Sequence, residues 1–106
     1  MFEPEILRIG VSGIRKNKPD GKPGTWWTRG GFMTRGGFIL IYNETITLEC
    51  LGTLAIFNRK TVGYYRDRDE ELLIKRILRI YDDTQDFSVE MFPKEFDKFM
   101  KAMKGE

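Results

Sequence analysis

A tandem hexapeptide is the feature that most restricts the fold of this chain. Trp27-Thr-Arg-Gly-Gly-Phe32 is followed directly by Met33-Thr-Arg-Gly-Gly-Phe38. A repeat of six residues is a multiple of the strand period, so an extended chain places Arg29 and Arg35 on one face and the phenylalanines on the other, toward the core. On a helix the two copies would lie about 120° apart. The repeat therefore predicts an extended ribbon.

The glycine pairs inside the repeat mark places where this ribbon turns or bulges. Two adjacent glycines between apolar runs are an ordinary hairpin signal. Only Phe32 to Arg35 separates Gly30-Gly31 from Gly36-Gly37, and this stretch is too short for two tight hairpins. We therefore expect one pair to form a hairpin turn and the other to form a bulge.

Length and composition favour one globular domain over residues 1–106. The chain is 41% apolar and 32% charged, which is typical of a folded protein and not of a disordered one. The single cysteine, Cys50, excludes an internal disulfide, so a reducing, cytoplasmic location is expected. No apolar run reaches the roughly 18 residues of a membrane span, so we expect no membrane partner.

The residue types that catalysis needs are scarce. The chain has no histidine, so the usual zinc ligand sets and the common catalytic triads are absent. The acidic runs at residues 67–71 and 82–86 are interpreted as a helix start and a turn, and not as a carboxylate pair for catalysis or cation binding. No glycine-rich phosphate motif occurs. We therefore expect a non-enzymatic protein with no metal and no cofactor.

The net charge of +2 is unevenly distributed along the chain. Residues 1–62 carry nine Lys/Arg against five Asp/Glu, whereas residues 63–106 carry nine against eleven. The excess is concentrated in residues 15–38, where Asp20 is the only acid. The basic residues there are Arg15, Lys16, Lys18, Lys22, Arg29 and Arg35. Such a local positive field points to an anionic partner.

Alternation of apolar and polar residues predicts an antiparallel meander in the first two thirds of the chain. We predict strands over residues 5–14, 25–34, 38–42, 45–51, 53–57 and 61–65, with an exposed loop over 15–24. The segment at residues 38–42 is apolar at every position, as is typical of a central strand covered on both faces. A further strand is predicted over residues 86–92.

Residues 68–82 fit two patterns. Their apolar residues are Leu73, Ile74, Ile77, Leu78 and Tyr81, and this spacing predicts an amphipathic helix with an acidic first turn. The alternative is a strand at Ile77–Tyr81 that pairs with Phe87–Phe92, because isoleucine and tyrosine are good strand formers. We predict the helix and keep the hairpin as the alternative.

The C-terminal segment predicts a second amphipathic helix. It begins at Pro93, and Phe96, Phe99, Met100 and Met103 recur at helical spacing. The predicted fold is α+β: a curved antiparallel sheet of about five or six strands, with the C-terminal helix and a second helix packed on one face. The order of strands followed by a helix is similar to that of pleckstrin-homology-like domains, more so if Ile77–Phe92 is a hairpin. This resemblance is architectural and implies no site.

The basic segment and the tryptophans predict a protein that binds single-stranded or structured DNA or RNA. In this mechanism the basic loop neutralises phosphates, two arginines line the ribbon, and one of two adjacent tryptophans stacks on a base while the other enters the core. The residues concerned are Arg15, Lys16, Lys18, Lys22, Trp26, Trp27, Arg29 and Arg35. An arginine packed on a tryptophan is the purely structural alternative.

A second interpretation belongs to a different class of function. The chain is then a protein-interaction module, either a homodimer or a small inhibitor-type protein, with the pleckstrin-homology-like architecture as one form of it. It uses the aromatic ribbon and an exposed strand edge, because unpaired edges and apolar patches are what protein partners cover.

Overall fold

The computed structural model of the protein describes residues 4–19, 27–28, 34–71 and 74–105. The strands are β1 Leu7–Val11, β2 Gly13–Lys16, β3 Lys18–Pro19, β4 Trp27–Thr28, β5 Gly37–Ile41, β6 Thr45–Glu49, β7 Thr53–Asn58, β8 Gly63–Arg66, β9 Arg76–Tyr81 and β10 Asp86–Met91. A 3₁₀ turn over Arg68–Glu70 precedes β9, and helix α1 spans Pro93–Met103.

The strands form two four-stranded antiparallel sheets. The first sheet has the order β1-β5-β6-β7 and the second has the order β2-β10-β9-β8, while β3 and β4 pair in a short ribbon. The α+β class is therefore confirmed. The predicted arrangement of one curved sheet with a second α-helix is not what the described residues form, because the strands divide between two sheets.

The two sheets share the first long strand of the chain. β1 pairs with β5 and β2 pairs with β10, so the strand predicted over residues 5–14 changes sheet in the middle. The change occurs at Ser12, whose backbone N–H donates to the Glu90 carbonyl at 2.8 Å and whose hydroxyl donates to the Glu90 carboxylate at 2.8 Å. These bonds satisfy the polar groups that the bend would otherwise leave unpaired.

The core lies between the two sheets and consists of the inward residues of both. The first sheet contributes Ile9, Val11, Ile39, Ile41, Ile46, Leu48, Ala55 and Phe57, and the second sheet contributes Ile14, Leu78, Ile80, Phe87, Val89 and Met91. These positions alternate with outward ones, as the strand period requires. Cys50 is half-buried against this core.

Helix α1 begins at Pro93, as predicted, and closes one opening of the core. Phe96 and Phe99 are buried, and Met100 and Met103 pack partly buried against the same cluster. The helix contacts both β1 and β9, so it joins the two sheets. No helix within the described ranges is long and apolar enough to span a membrane.

The helix predicted over residues 68–82 is wrong, and the alternative hairpin is right. Arg76–Tyr81 is a strand that pairs with β10 on one side and β8 on the other. Leu78 and Ile80 face the core, whereas Ile74, which the helical stripe would bury, is 69% exposed. Leu73 lies outside the described residues. A strand at this position completes two hydrogen-bonded ladders, and a helix would leave both β8 and β10 with unpaired edges.

The predicted exposed loop over residues 15–24 is also wrong in its first half. Arg15 and Lys16 belong to β2, and Lys18 belongs to β3, where it pairs with Thr28 of β4. The prolines and glycines that predicted irregular structure occur at position 19 and beyond. Residues 20–24 lie outside the described part of the chain.

The glycine pair at Gly36-Gly37 does not form a hairpin turn. Thr34 donates its backbone N–H to the Ile14 carbonyl at 3.0 Å, and Gly37 is paired with Val11. Residues on both sides of Gly36 therefore run antiparallel beside residues 11–14, from β2 to β1, and the chain does not reverse there. The pair at Gly30-Gly31 lies outside the described residues.

Candidate functional site

Arg15, the first of the predicted phosphate-binding residues, is engaged inside the protein. Its Nη2 atom donates to both carboxylate oxygens of Glu70, at 2.7 Å each, and its Nε atom donates to Asn17 at 3.3 Å. The side chain of Arg15 is 17% exposed and that of Glu70 is 6% exposed. This charge is compensated by a carboxylate and withdrawn from solvent, so Arg15 is a structural residue.

The other predicted site residues divide into three groups. Lys16, Lys18 and Arg35 are exposed. Trp27 contributes its backbone to β4, and its side chain lies outside what the structure describes. The remaining residues, Lys22, Trp26 and Arg29, lie outside the described ranges. The convergence of all eight residues on one surface therefore remains a prediction, and Arg15 is paired with Glu70.

The Arg15–Glu70 pair belongs to a larger cluster on the outer face of the second sheet. We call this cluster the polar network, and its members are Arg15, Asn17, Asp67, Glu70, Arg79, Asp86 and Ser88. Strand pairing places Arg15, Ser88 and Arg79 directly beside one another on β2, β10 and β9. Because β-strand side chains alternate, these three share the face opposite the core.

Hydrogen bonds connect the centre of the polar network. The Asn17 amide donates to Asp86 at 2.7 Å and to the Ser88 hydroxyl at 3.0 Å. Ser88 donates in turn to Glu70 at 3.3 Å. Arg79 donates from Nε to Asp86 at 2.6 Å and from Nη2 to the second carboxylate oxygen at 3.3 Å. Asn17, Asp86 and Ser88 are at most 4% exposed, so these bonds form away from water.

The acidic segment before β9 covers this face. Arg79 also reaches the Asp67 carboxylate at 3.7 Å. Burial raises the pKa of Asp67 above its usual value, and the negative charge of Glu70 raises the pKa further. The residue after Glu70 is Glu71, whose carboxylate accepts hydrogen bonds from Arg66 at 2.8 Å and from the Ile77 backbone N–H at 3.1 Å. The carboxylates of residues 67–71 thus fasten a 3₁₀ turn onto the second sheet.

The hydrogen-bonding groups of the polar network are satisfied within the protein. No buried side-chain nitrogen or oxygen among the described residues lacks a hydrogen-bond partner. The described residues also contain no group of three or more carboxylate or thiol side chains placed to hold a metal ion. Buried polar groups are generally hydrogen-bonded, and those of the polar network follow this rule.

The outer face of the first sheet has the opposite character. Its exposed residues include four large apolar side chains, which we call the apolar face: Ile6, Phe38, Leu54 and Ile56, at 51%, 40%, 43% and 58% exposure. Between them lies Leu40, which is 4% exposed and lies outside the core cluster. Ile6 lies just before β1, Phe38 is in β5, and Leu54 and Ile56 are in β7, at positions that alternate with the core residues.

Phe38 is therefore not a core residue, contrary to the prediction. Ile39 and Ile41 of the same strand face the core, so Phe38 and Leu40 must point outward. The guanidinium of Arg8 lies 5.1 Å from the centre of the Phe38 ring and is also held by Glu5 at 3.0 Å. The extended chain that the repeat predicts at this point is present. The expected direction of its phenylalanine side chain, toward the core, is wrong for Phe38.

Strand β7 forms the free edge of the apolar face. Ala55 pairs with Leu48 and Thr53 pairs with Glu49, so Leu54 is an extra, bulged residue with no partner on β6. The carbonyl of Ile56 accepts from the Gln85 side chain at 3.0 Å, so it points away from β6. The sequence carries a signal for this surface, because residues 54–57 are apolar at every position and only alternate ones enter the core.

Comparison with protein-family models, with curated proteins and with solved structures finds no match to this chain. The hairpin of β9 and β10, which was expected to strengthen the resemblance to pleckstrin-homology-like domains, is present. The likeness is one of element order, and it carries no functional residue.

Proposed function

We propose that this protein is a protein-interaction domain that associates through the apolar face, with a second copy of the chain as the partner. The observation that carries this proposal is the exposure of Ile6, Phe38, Leu54 and Ile56 on one side of one sheet. Scattered apolar residues are common on protein surfaces, but apolar residues grouped on one sheet face mark interaction sites.

A second copy fits this face for electrostatic reasons. Charges of both signs lie beside it, because Arg8 is paired with Glu5 at 3.0 Å and Glu49 lies opposite Phe38 on β6, so two copies can meet with unlike charges facing each other. Two-fold dimers are also the commonest oligomers, because one self-complementary patch suffices for both subunits. The edge of β7 adds the polar backbone groups of Leu54 to the same surface.

The test is the molar mass in solution, measured by sedimentation equilibrium from low micromolar to near-millimolar concentration. The wild-type chain is expected to dimerise, and Ile56→Lys to shift the equilibrium toward monomer without loss of thermal stability. Ile74→Lys is the matched control, since Ile74 is 69% exposed and lies before β9. A wild-type monomer throughout, or an equal effect of the two lysine substitutions, would contradict the homodimer.

Binding of single-stranded nucleic acid is the second candidate function. The observation that favours it is the exposure of Lys16, Lys18 and Arg35. Lys16 and Lys18 are two residues apart in an extended segment, so their side chains point to the same side. Lys18 is in β3, which pairs with β4, the strand that contains Trp27. Three cations on phosphates correspond to a slope of about −2 in the logarithm of affinity against the logarithm of salt concentration.

This candidate is tested by titrating tryptophan fluorescence with a single-stranded oligonucleotide at two salt concentrations. The double substitution Lys16→Ala with Lys18→Ala is expected to weaken binding and to flatten the salt dependence. Lys94→Ala, an exposed lysine at the start of α1, is the control and is expected to change neither. Absence of binding at low salt would remove nucleic acid from consideration.

A further inference from the structure

A cleft opens at the end of the molecule where α1 ends. Its volume is about 440 Å³, and it lies between the turn after β5, the turn after β7 and the last turn of α1. The lining residues are Asn43, Arg59, Lys60, Val62, Tyr64 and Met103. The volume is within the range of small-molecule sites, which is roughly 300 to 1,000 Å³. None of these residues belongs to the apolar face or to the polar network.

The cationic wall of the cleft is fixed in position by Arg59. Its Nη1 atom donates to the Tyr42 carbonyl at 3.0 Å, and its Nη2 atom donates to the Ala102 carbonyl at 2.9 Å. These two bonds orient the guanidinium and use two of its five N–H donors. Both acceptors are neutral carbonyls.

A second positive charge stands beside the first. Lys60 is exposed, and none of the ion pairs among the described residues involves Arg59 or Lys60. The end of α1 offers only about half a negative charge, from its last carbonyls. The charged residues that line the cleft, Arg59 and Lys60, are thus both cationic, and Asn43 adds a polar residue to the lining.

The remaining wall is apolar and held in place. Val62 is 8% exposed, and the Tyr64 ring packs edge-on against Phe99 with ring centres 5.5 Å apart. Met103 closes the wall from the last turn of α1. A flexible thioether beside a fixed aromatic ring is suited to contact with an apolar ligand group.

We propose that this cleft binds a small carboxylate that carries an apolar group. The planar fork of an arginine matches the two oxygens of a carboxylate, and Lys60 supplies a second charge at the rim. The apolar part of the ligand lies on Val62, Tyr64 and Met103. Carboxylate with an attached apolar body satisfies both walls, whereas a bare inorganic anion would satisfy only one.

The experiment is a titration of the full chain, followed by NMR at the Tyr64 ring and the Met103 methyl group. The probes are 4-phenylbutyrate, the uncharged 4-phenylbutan-1-ol and inorganic phosphate. Saturable shifts with the carboxylate are expected, with affinity about tenfold weaker for the alcohol, which lacks a charge-assisted hydrogen bond. Equal binding of the alcohol, tighter binding of phosphate, or no saturable shift would overturn the proposal.

Variants separate the cleft from general surface charge. Lys60→Gln is expected to weaken 4-phenylbutyrate binding roughly two- to fivefold, as for an exposed charge pair, and Lys60→Arg to restore it. Lys94→Gln is the control, since Lys94 lies about 14 Å from Met103 along the helix axis. An equal loss in both glutamine variants would overturn the assignment. Arg59 is left unchanged because it also binds the Ala102 carbonyl.

Discussion

The Nη2 atom of Arg15 lies 2.7 Å from both carboxylate oxygens of Glu70, a residue 55 positions away in the sequence. This pair joins β2 to the 3₁₀ turn that covers the second sheet. Its two side chains are largely withdrawn from water, so each charge depends on the other. Removing Arg15 takes from Glu70 a cation that donates to both of its carboxylate oxygens in a poorly solvated position.

The first prediction follows from this dependence. Arg15→Ala is expected to lower the free energy of unfolding by about 3 kcal/mol or more. Lys16→Ala is the control one residue away, and a change within about 0.5 kcal/mol is expected because Lys16 is exposed. The measurement is chemical denaturation of both variants. Similar small losses in the two would contradict the structural role of Arg15.

The second prediction separates two phenylalanines by their exposure. Phe38 is 40% exposed on the outer face of the first sheet, whereas Phe99 is 0% exposed in the core. Phe99→Ala is expected to cost about 3 to 5 kcal/mol. Phe38→Ala should cost only about 1 to 2 kcal/mol, from partial burial and the contact with Arg8. Thermal and denaturant unfolding give both values, and equal losses would place Phe38 in the core.

The local parts of this fold could be predicted from the sequence. In β6 the apolar residues Ile46 and Leu48 alternate with threonines. A strand places both apolar side chains on the same face, so this alternation predicts a strand. Helix α1 carries its own signals in Pro93 and the spacing of Phe96 and Phe99. Each of these elements is specified within about ten residues, so no knowledge of its neighbours is needed.

The type of element at Arg76–Tyr81 could not be settled in this way. Leu78 and Ile80 are spaced as the buried residues of a strand are. Leu78 also has helical spacing with Ile77 and Tyr81, so the same segment fits a helix. The choice is made by β8 and β10, which flank this segment and need a strand between them. Likewise, Arg15 seemed a free cation because its partner, Glu70, is brought near only by the fold.

The third prediction concerns acid stability through Glu71. The hydrogen bond from Arg66 lowers the pKa of Glu71, and the Ile77 N–H lowers that pKa further. A lowered pKa means that the stability contributed by Glu71 is complete above its unfolded pKa, about 4.3, and is lost as the pH falls through the folded pKa. The melting temperature of the wild type should therefore exceed that of Glu71→Gln above about pH 5 and converge with it in stronger acid. A difference that persists at low pH would contradict this origin.

Asp67 gives the fourth prediction, with the opposite sign. Burial and the charge of Glu70 raise the pKa of Asp67, so the folded state binds this proton more tightly than the unfolded chain does. Relative to Asp67→Asn, the wild type should gain stability as the pH falls through the folded pKa toward the unfolded pKa of about 3.9. The same melting series measures this effect. A wild-type advantage that shrinks over this interval would show that the Arg79 contact outweighs burial.

The last prediction uses two glycines of neighbouring strands as a matched pair. At Gly37, φ is +150° and a Cβ atom would collide with the Glu49 carbonyl oxygen and press on the Ile14 side chain. At Gly10, a Cβ atom would meet nothing within 4 Å. Gly37→Ala should therefore destabilise the protein by more than about 1 kcal/mol, because both the backbone conformation and the space are unsuitable. Gly10→Ala is expected to be neutral or to stabilise by up to about 1 kcal/mol, since it reduces the freedom of the unfolded chain. Denaturant unfolding of the two variants decides the matter, and a tolerated alanine at position 37 would show that the close approach of β5 to β6 is not required.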